Sequence, residues 1–475
     1  MKPLLSNQLF TNKSNRPIKI IQFGEGNFLR AFVDWKIEQM NQIGFFNGNV
    51  AIVQPLSNGL EHLIQKQDCL YTVRLNGFQN GEKINTNEII TCVSSITNPY
   101  QNFPSFLDLA NDDDARFIIS NTTEAGIQFD ATETFSMDFP STTFPGKLTQ
   151  LLYHRYIQNK AGFILIPCEL IEKNGEALKH AVLQYAASWK LGEEFINWIH
   201  LENTFCSSLV DQIVSGYPKM QEQELWDTFG YTDHLMVTAE PFHFWVIEGP
   251  SWIEDELPLR KANLNVIFTN DMTPYRNQKV HILNGSHTAM VPPAILANLE
   301  TVEQVMQDKD LSQFINNLVQ NEIIPTLQLP RNQLENFARS TLERFKNPFI
   351  RHELKSIALN SISKFKTRLL PILKNNIEQK RNTPDYTIFS LASLLFLYKS
   401  DSEERQDDEQ VIAVIEHAWQ NPETLVHTLL SNSNIWGEDL SSLEGLEESL
   451  QTHLNNIEQF GLREALHHLL AKTEV

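Results

Sequence analysis

The chain has 475 residues, 41% of them hydrophobic and 20% charged, with a formal net charge of −20. This length exceeds one ordinary core and predicts two domains, and the composition predicts a globular protein that needs no metal or disulfide staple. A surface this acidic repels nucleic acid and anionic membranes, so neither is expected as a partner; an anionic small molecule stays admissible wherever a local basic pocket inverts the field.

The cysteines Cys69, Cys92, Cys168 and Cys206 are scattered and form no CxxC pair. That argues against a zinc ribbon and a disulfide framework, and for reduced thiols. No HExxH, clustered Cys/His or paired carboxylate set has ligand spacing, so no metal is expected. The N-terminal stretch lacks an apolar signal core, and no run of ~18 apolar residues marks a membrane span. The expectation is a cytoplasmic protein.

In chain order, Ile18, Ile20, Ile21 and Phe23 predict a short buried strand, punctuated by Gly24 and Gly26. Phe28, Phe32, Trp35, Met40 and Ile43 then recur near helical spacing, and "NVAIVQP" predicts a second buried strand ending near Gln54. Strand, glycine turn, helix and strand make a βαβ unit. The turn Gly24-Glu25-Gly26-Asn27-Phe28-Leu29-Arg30 stands where a dinucleotide pyrophosphate would sit. Glycine permits close backbone approach, and the helix N-terminus offers unpaired N–H groups. Arg30 would add a charge-assisted bond to phosphate. Leu29 occupies the third glycine position of G-x-G-x-x-G, so a purely structural turn is the alternative. Gln54 stands where an NAD reader carries an acid; with no Arg nearby, the residues alone decide the cofactor only weakly.

Residues 70–96 alternate and contain Asn76-Gly77 and Asn80-Gly81, predicting an antiparallel hairpin. Further buried strands are predicted at Phe117 to Ser120 and at Phe163 to Ile166. Strands alternating with helices argue for a parallel sheet. After about residue 240 the strand signals fade and amphipathic helical patterns dominate. The predicted division is an α/β domain over 1–235 and a mostly α-helical domain over 236–475. The charge run at 400–410 predicts a solvated loop or helix start, and His467-His468 a solvated helix face.

"KVHILNGSHTAM" places Lys279, Asn284 and His287 in an apolar stretch. The three are expected to share one broad face of a helix, with Lys279 and His287 about 80° apart at about 100° per residue. A desolvated lysine works as a general acid or base near neutral pH. An asparagine beside it would orient it and donate to a developing alkoxide, and a histidine would hold a substrate hydroxyl. The alternative is an exposed helix with a surface lysine and a satisfied histidine. Against it, Asn-Gly-Ser is poor helix filler.

Together, GxGxFxRA (Gly24 to Ala31) and K-x4-N-x2-H (Lys279, Asn284, His287) resemble the mannitol dehydrogenase family of long-chain, zinc-independent polyol dehydrogenases. "TEAG" at 123–126, "FCSSLVDQI" at 205–213, "EPFHFWVIEG" at 240–249 and the basic stretch 344–364 fit as well, so the resemblance spans most of the chain. It implies a Rossmann-type N-terminal domain, a helical substrate and catalytic domain, and metal-free NAD(P)-dependent oxidation of a secondary alcohol. Lys279 would be the acid/base, Asn284 would polarise the reacting oxygen and His287 would bind substrate, with Asp211 and Lys364 also in the cleft. The implied cofactor set is Phe23, Gly24, Gly26, Asn27, Phe28, Arg30, Gln54, Asn121, Thr123 and Glu124.

One departure narrows the branch. Polyol members carry an asparagine two residues after the cysteine of "PCELIEKNG", where this chain has Leu170. That leaves the oxyanion site to Asn284 alone, or gives Glu169 a new role. This wording, with "IIQFGEGNFLRAFVDW", is most like the tagaturonate reductase (altronate oxidoreductase) branch, which implies NAD and a small hexuronate substrate, acting as a monomer or weak oligomer. A fructuronate reductase, a mannitol-type polyol dehydrogenase and a non-catalytic nucleotide-binding sensor remain alternatives; a methyltransferase does not suit a helical domain carrying Lys279. A hexuronate carboxylate requires a cation. Among Arg344, Lys346, Arg351, Lys355, Lys364, Lys366 and Arg368, Lys364 is the expected one, the rest forming a solvated basic face.

Overall fold

The computed structural model describes residues 2–11, 15–123, 125–349, 351–379, 383–399 and 404–472. The chain forms two compact units: Met1–Phe78 with Glu82–Met272, and Gln79–Gly81 with Thr273–Val475.

The first unit carries strands β1 (Ile18–Phe23), β2 (Asn49–Val53), β3 (Tyr71–Gln79), β4 (Glu82–Ile90), β5 (Val93–Thr97), β6 (Phe117–Ser120), β7 (Ile164–Pro167) and β8 (Thr204–Phe205). A parallel sheet runs in the order β5-β2-β1-β6-β7-β8. Side chains alternate between its faces, as the pleat requires. Ile20, Val50, Ile52, Phe117, Ile119, Ile164 and Ile166 enter one core; Ile21, Phe23, Val53, Ile118 and Leu165 enter the other. Burial on both faces is why these strands read as continuous apolar runs. The strand order reverses between β1 and β6, and ligands of such sheets bind in the crevice at the carboxyl ends there.

Five further strands complete this unit: β9 (Ser207–Asp211), β10 (Val214–Gly216), β11 (Val237–Ala239), β12 (Phe244–Glu248) and β13 (Val266–Thr269). They form the sheets β10-β11-β3-β4 and β13-β12-β9. The first unit therefore continues to Met272 rather than ending near 235. β12 pairs antiparallel with β9 and parallel with β13, which ties the segment after 240 back to the α/β unit. In the β3–β4 hairpin the turn is Asn80-Gly81, with φ of 55° and 81°, the pattern a two-residue turn demands. Asn76-Gly77 lies within β3 and makes no turn.

In the second unit all thirteen residues of helix Asp385–Leu397 but Phe396 and the N-terminal Asp385 are buried. Its Ser390 Oγ donates to the Ala289 carbonyl at 3.1 Å. Glu322 caps its first turn, accepting from the Tyr386 and Thr387 amides at 2.8 Å each. The charge run leads from a loop into helix Glu409–Trp419, which Asp408 caps; residues 400–403 lie outside the described residues. His467 and His468 are exposed on helix Leu462–Ala471. Among the described residues, no helix is long and apolar enough to cross a membrane, and no group of three His, Cys, Asp or Glu residues is placed to hold a metal ion. All four cysteines are buried and outside any disulfide.

Candidate active site

In the first unit the candidate site begins where β1 ends. Gly24 has φ +121°, and a Cβ there would press on the Asn121 carbonyl and Leu29, each at 3.1 Å. That backbone and that closeness both call for glycine. Around Gly26 an added Cβ would meet nothing within 4 Å, so the turn has an open side. Gly26 N-caps a helix that no side chain caps, and its first helical bond is Arg30 N to Gly26 O at 3.3 Å. The amides before it are left for an anion. Asn27 is exposed here, and Phe28 stacks on Phe32. The residues present therefore fit a dinucleotide phosphate.

Arg30 and Gln54 take positions other than those expected, while Phe23 lies in the buried strand that its pattern predicts. Phe23 is fully buried against Phe106 and Phe144, so only its backbone borders the turn. Arg30 is also buried. It donates to the Glu25 carbonyl at 3.0 Å, to Asn27 Oδ1 at 2.8 Å and to the Leu235 carbonyl, and its guanidinium lies over Tyr71. It braces the turn from within rather than offering a free cation to phosphate. Gln54 donates to the Leu56 carbonyl and accepts from the Glu61 amide, both at 2.9 Å. Its amide is thus engaged at both ends in shaping the loop after β2, not directed at a ribose hydroxyl.

The loop after β6 lies beside the glycine turn: the Asn121 amide donates to the Phe23 carbonyl at 3.2 Å. Asn121 Nδ2 donates to the Cys168 carbonyl at 2.7 Å. Thr123 adopts φ +111°, a costly conformation for a β-branched residue. Glu124 lies outside the described residues. What holds this loop is Glu169, a residue whose role the sequence left open. Its buried carboxylate accepts from Ser120 Oγ (3.1 Å), the Thr122 amide (3.0 Å) and Thr122 Oγ1 (3.1 Å). Burial raises its pKa, while those hydrogen bonds pull the other way. The neighbouring Leu170 is 62% exposed. Asp211 is buried at the end of β9, opposite Phe244.

In the second unit Lys279 opens a π-helical turn, Lys279–Gly285, that leads into helix Ser286–Leu296. The expectation of plain α-helix is corrected here. At about 100° per residue, Lys279 and Asn284 would stand roughly 140° apart. A π-turn closes its bonds from i to i+5, so residues five apart stack on one side. The turn thus sets the lysine and the asparagine of K-x4-N closer in angle than an α-helix would. Lys279 is half-buried.

Buried without a partner among the described residues are Asn284 Oδ1 within this turn and, just after it, Ser286 Oγ and His287 Nε2. Buried orphans cost free energy unless a ligand satisfies them. The His287 ring packs on Phe345 at 4.3 Å and meets His352 edge-on at 4.8 Å. Burial, and then the nearby His352, Arg344, Arg368 and Lys364, push its pKa well down. His287 is therefore a neutral imidazole able to bind a hydroxyl. Lys364 Nζ donates to the Ile357 carbonyl at 2.8 Å.

Sequence reasoning missed His281 and Arg368. His281 Nδ1 lies 2.7 Å from the Arg368 carbonyl, and Arg368 Nη1 donates to Thr288 Oγ1 at 3.1 Å. His281 stood inside "KVHILNGSHTAM", and Arg368 inside the basic stretch. The available signal was a second histidine in the apolar run.

Residues 18–261 match the family described as Mannitol dehydrogenase Rossmann domain, and residues 271–458 match Mannitol dehydrogenase C-terminal domain. The chain is 45% identical over 470 residues to the altronate oxidoreductase of Bacillus subtilis (strain 168), covering 97% of each chain. It is 42% identical over 467 residues to that of Cronobacter sakazakii (strain ATCC BAA-894), covering 95% of this chain and 96% of the relative. Among solved structures it resembles D-sorbitol dehydrogenase in substrate-free form, with a TM-score of 0.81, 22% identity and coverage of 98% and 100%. It also resembles the Pseudomonas fluorescens mannitol 2-dehydrogenase ternary complex with NAD and D-mannitol, with a TM-score of 0.68, 21% identity and coverage of 98% and 99%. At these identities the two structures establish the fold: a Rossmann-type parallel-sheet domain followed by a mostly helical one.

Proposed function

The chain belongs to the mannitol dehydrogenase family, and on that premise we propose that it is an NAD-dependent hexuronate oxidoreductase interconverting D-tagaturonate and D-altronate. The observation that carries this reading is 45% identity to an altronate oxidoreductase over 97% of both chains. When bound, NAD supplies the acceptor or donor of the hydride. The glycine turn, with Gly24, Gly26, Asn27 and Phe28, would hold its pyrophosphate, and the Asn121–Thr123 loop would border it. Arg30, Gln54 and Glu169 shape these loops from behind.

In the reducing direction Lys279 gives its proton to the carbonyl oxygen as negative charge develops there, and in the oxidising direction it takes the proton from the alcohol. Asn284, five residues on in the same π-turn, would orient the lysine and the reacting oxygen. The orphaned His287 Nε2 takes a substrate hydroxyl. A neutral imidazole suits this task, since it holds a hydroxyl without competing for the proton that Lys279 moves.

The test is oxidation of D-altronate by NAD with the purified protein, the product identified chemically. Tagaturonate formed faster than the keto acid from D-mannonate is expected. A preference for mannonate would move the assignment to a fructuronate reductase.

A further inference from the structure

The neighbourhood of His287 is unusually positive for a chain of net charge −20. Arg344, Arg368 and Lys364 all act on it electrostatically, together with His352. Arg344 is buried, and Arg368 and Lys364 are half-buried. Cations gathered at a partly desolvated place repel one another, and folding alone gives no reason to collect them.

The three differ in what holds them. Lys364 Nζ is bonded to the Ile357 carbonyl and also feels Asp407. Arg344 is coupled to both histidines. Among the described residues, Arg368 makes hydrogen bonds through Nη1 alone, to Thr288 Oγ1 at 3.1 Å and more weakly to the Asn284 carbonyl at 3.5 Å. Both acceptors are neutral. Among the described residues no carboxylate pairs with Arg368, and burial is what lowers its pKa.

The position of Arg368 is fixed. His281 Nδ1 meets its carbonyl, and a carbonyl only accepts, so Nδ1 carries the proton. An added Cβ on Gly285 would lie 3.4 Å from Leu369 and 3.6 Å from the Arg368 carbonyl, which shows how closely the end of helix Ser361–Arg368 packs on the Lys279–Gly285 turn. Thr288 follows His287 directly. The guanidinium is thereby anchored one residue from the orphaned imidazole, with Nε and Nη2 uncommitted.

We infer that Arg368 is the carboxylate-binding residue of this enzyme, receiving the acid group of a sugar acid whose hydroxyl is held by His287. The inference rests on the hexuronate reading above and moves the carboxylate from Lys364 to Arg368. A planar fork grips a carboxylate with two parallel bonds, which a lysine cannot do. Lys364 adds field but has no fork, and Arg344, buried and already engaged by other groups of the protein, adds field.

The test uses D-altronate and its uncharged counterpart D-altritol, titrated calorimetrically into NADH-loaded protein, where neither alcohol can react. Loss of a charge-assisted fork should weaken altronate binding about 10–100-fold in Arg368→Met, with little change for altritol. Arg368→Lys should fall between, and Lys364→Met should lose less than Arg368→Met. Altritol binding shows that the variant is folded; thermal melting serves if altritol binds too weakly. Equal losses for both ligands, or a larger loss in Lys364→Met, would overturn the inference while leaving the hexuronate reading intact. Wild-type protein that ignores altronate but binds altritol would overturn both.

Discussion

His281 Nδ1 lies 2.7 Å from the carbonyl oxygen of Arg368, joining the π-turn that begins at Lys279 to the end of helix Ser361–Arg368. Burial lowers the His281 pKa, so the ring is neutral and acts as a fixed donor. His281→Ala should remove that bond and loosen Arg368, raising KM for the keto acid about tenfold by loss of roughly 1.4 kcal/mol. His281→Asn, which keeps a donor, should recover part of it. No difference between the two variants would mean that the ring acts by packing alone.

Lys279→Ala should cut turnover by about 10²–10⁴-fold while NADH still binds, because it removes the proton partner of the alkoxide. Fluorescence titration of NADH gives the binding arm and steady-state kinetics the other. Proton transfer in this account needs no metal, so exhaustive chelation should leave the wild-type rate unchanged. Near-normal turnover in Lys279→Ala, or activity lost to chelator and restored by zinc, would require a different acid/base.

Glu169 binds Ser120 and Thr122 and so fixes the loop beside the glycine turn. Glu169→Ala leaves the Thr122 amide without its acceptor. The expected result is a KM for NADH raised by about ten- to a hundredfold, from roughly 1–3 kcal/mol, with a smaller effect on kcat. Glu169→Gln retains an acceptor and should be milder. An effect on kcat alone would point to a catalytic role instead.

Asp34 supplies a pH prediction. It lies buried behind the glycine turn, accepting from Tyr71 Oη at 2.6 Å and Gln22 Nε2 at 3.4 Å. Burial lifts its pKa from 3.8 to about 7. The folded state therefore binds a proton that the unfolded chain releases between those values, and stability contributed by this group falls as pH rises through that window. Asp34→Asn keeps the acceptor oxygen and removes the titration. Its Tm should vary less between about pH 5 and about pH 7.5 than that of wild type; parallel profiles would show that another group governs this range.

Much of the fold could be read from the chain. β6 falls on Phe117–Ser120 as the apolar pattern predicts, and β1 and β2 flank the glycine turn, because strands covered on both faces must be continuously apolar. The extension of the first unit to Met272 was hidden, since β12 pairs across the intervening chain with β9, and β13 joins that sheet through β12. In the candidate site, Lys279, Asn284 and His287 stood out by their spacing, but the π-turn that contains the first two did not. α- and π-helical turns share the same residue preferences, and only packing selects between them. The inward turn of Arg30 was equally hidden, because Leu235, one of its partners, lies far away in sequence, and that of Gln54 because the bend of the loop after β2 brings Leu56 and Glu61 back onto it.

A reductase that selects a keto acid is tested by one panel of initial rates. NADH consumption is followed with D-tagaturonate, D-fructuronate, D-fructose and D-mannose, and tagaturonate is repeated with NADPH. The predicted result is the highest kcat/KM for tagaturonate with NADH, reduced by added salt because the attraction of the carboxylate to its cations is screened. Faster turnover of fructose than of either uronate, insensitive to salt, would contradict the account and return the chain to the polyol dehydrogenases.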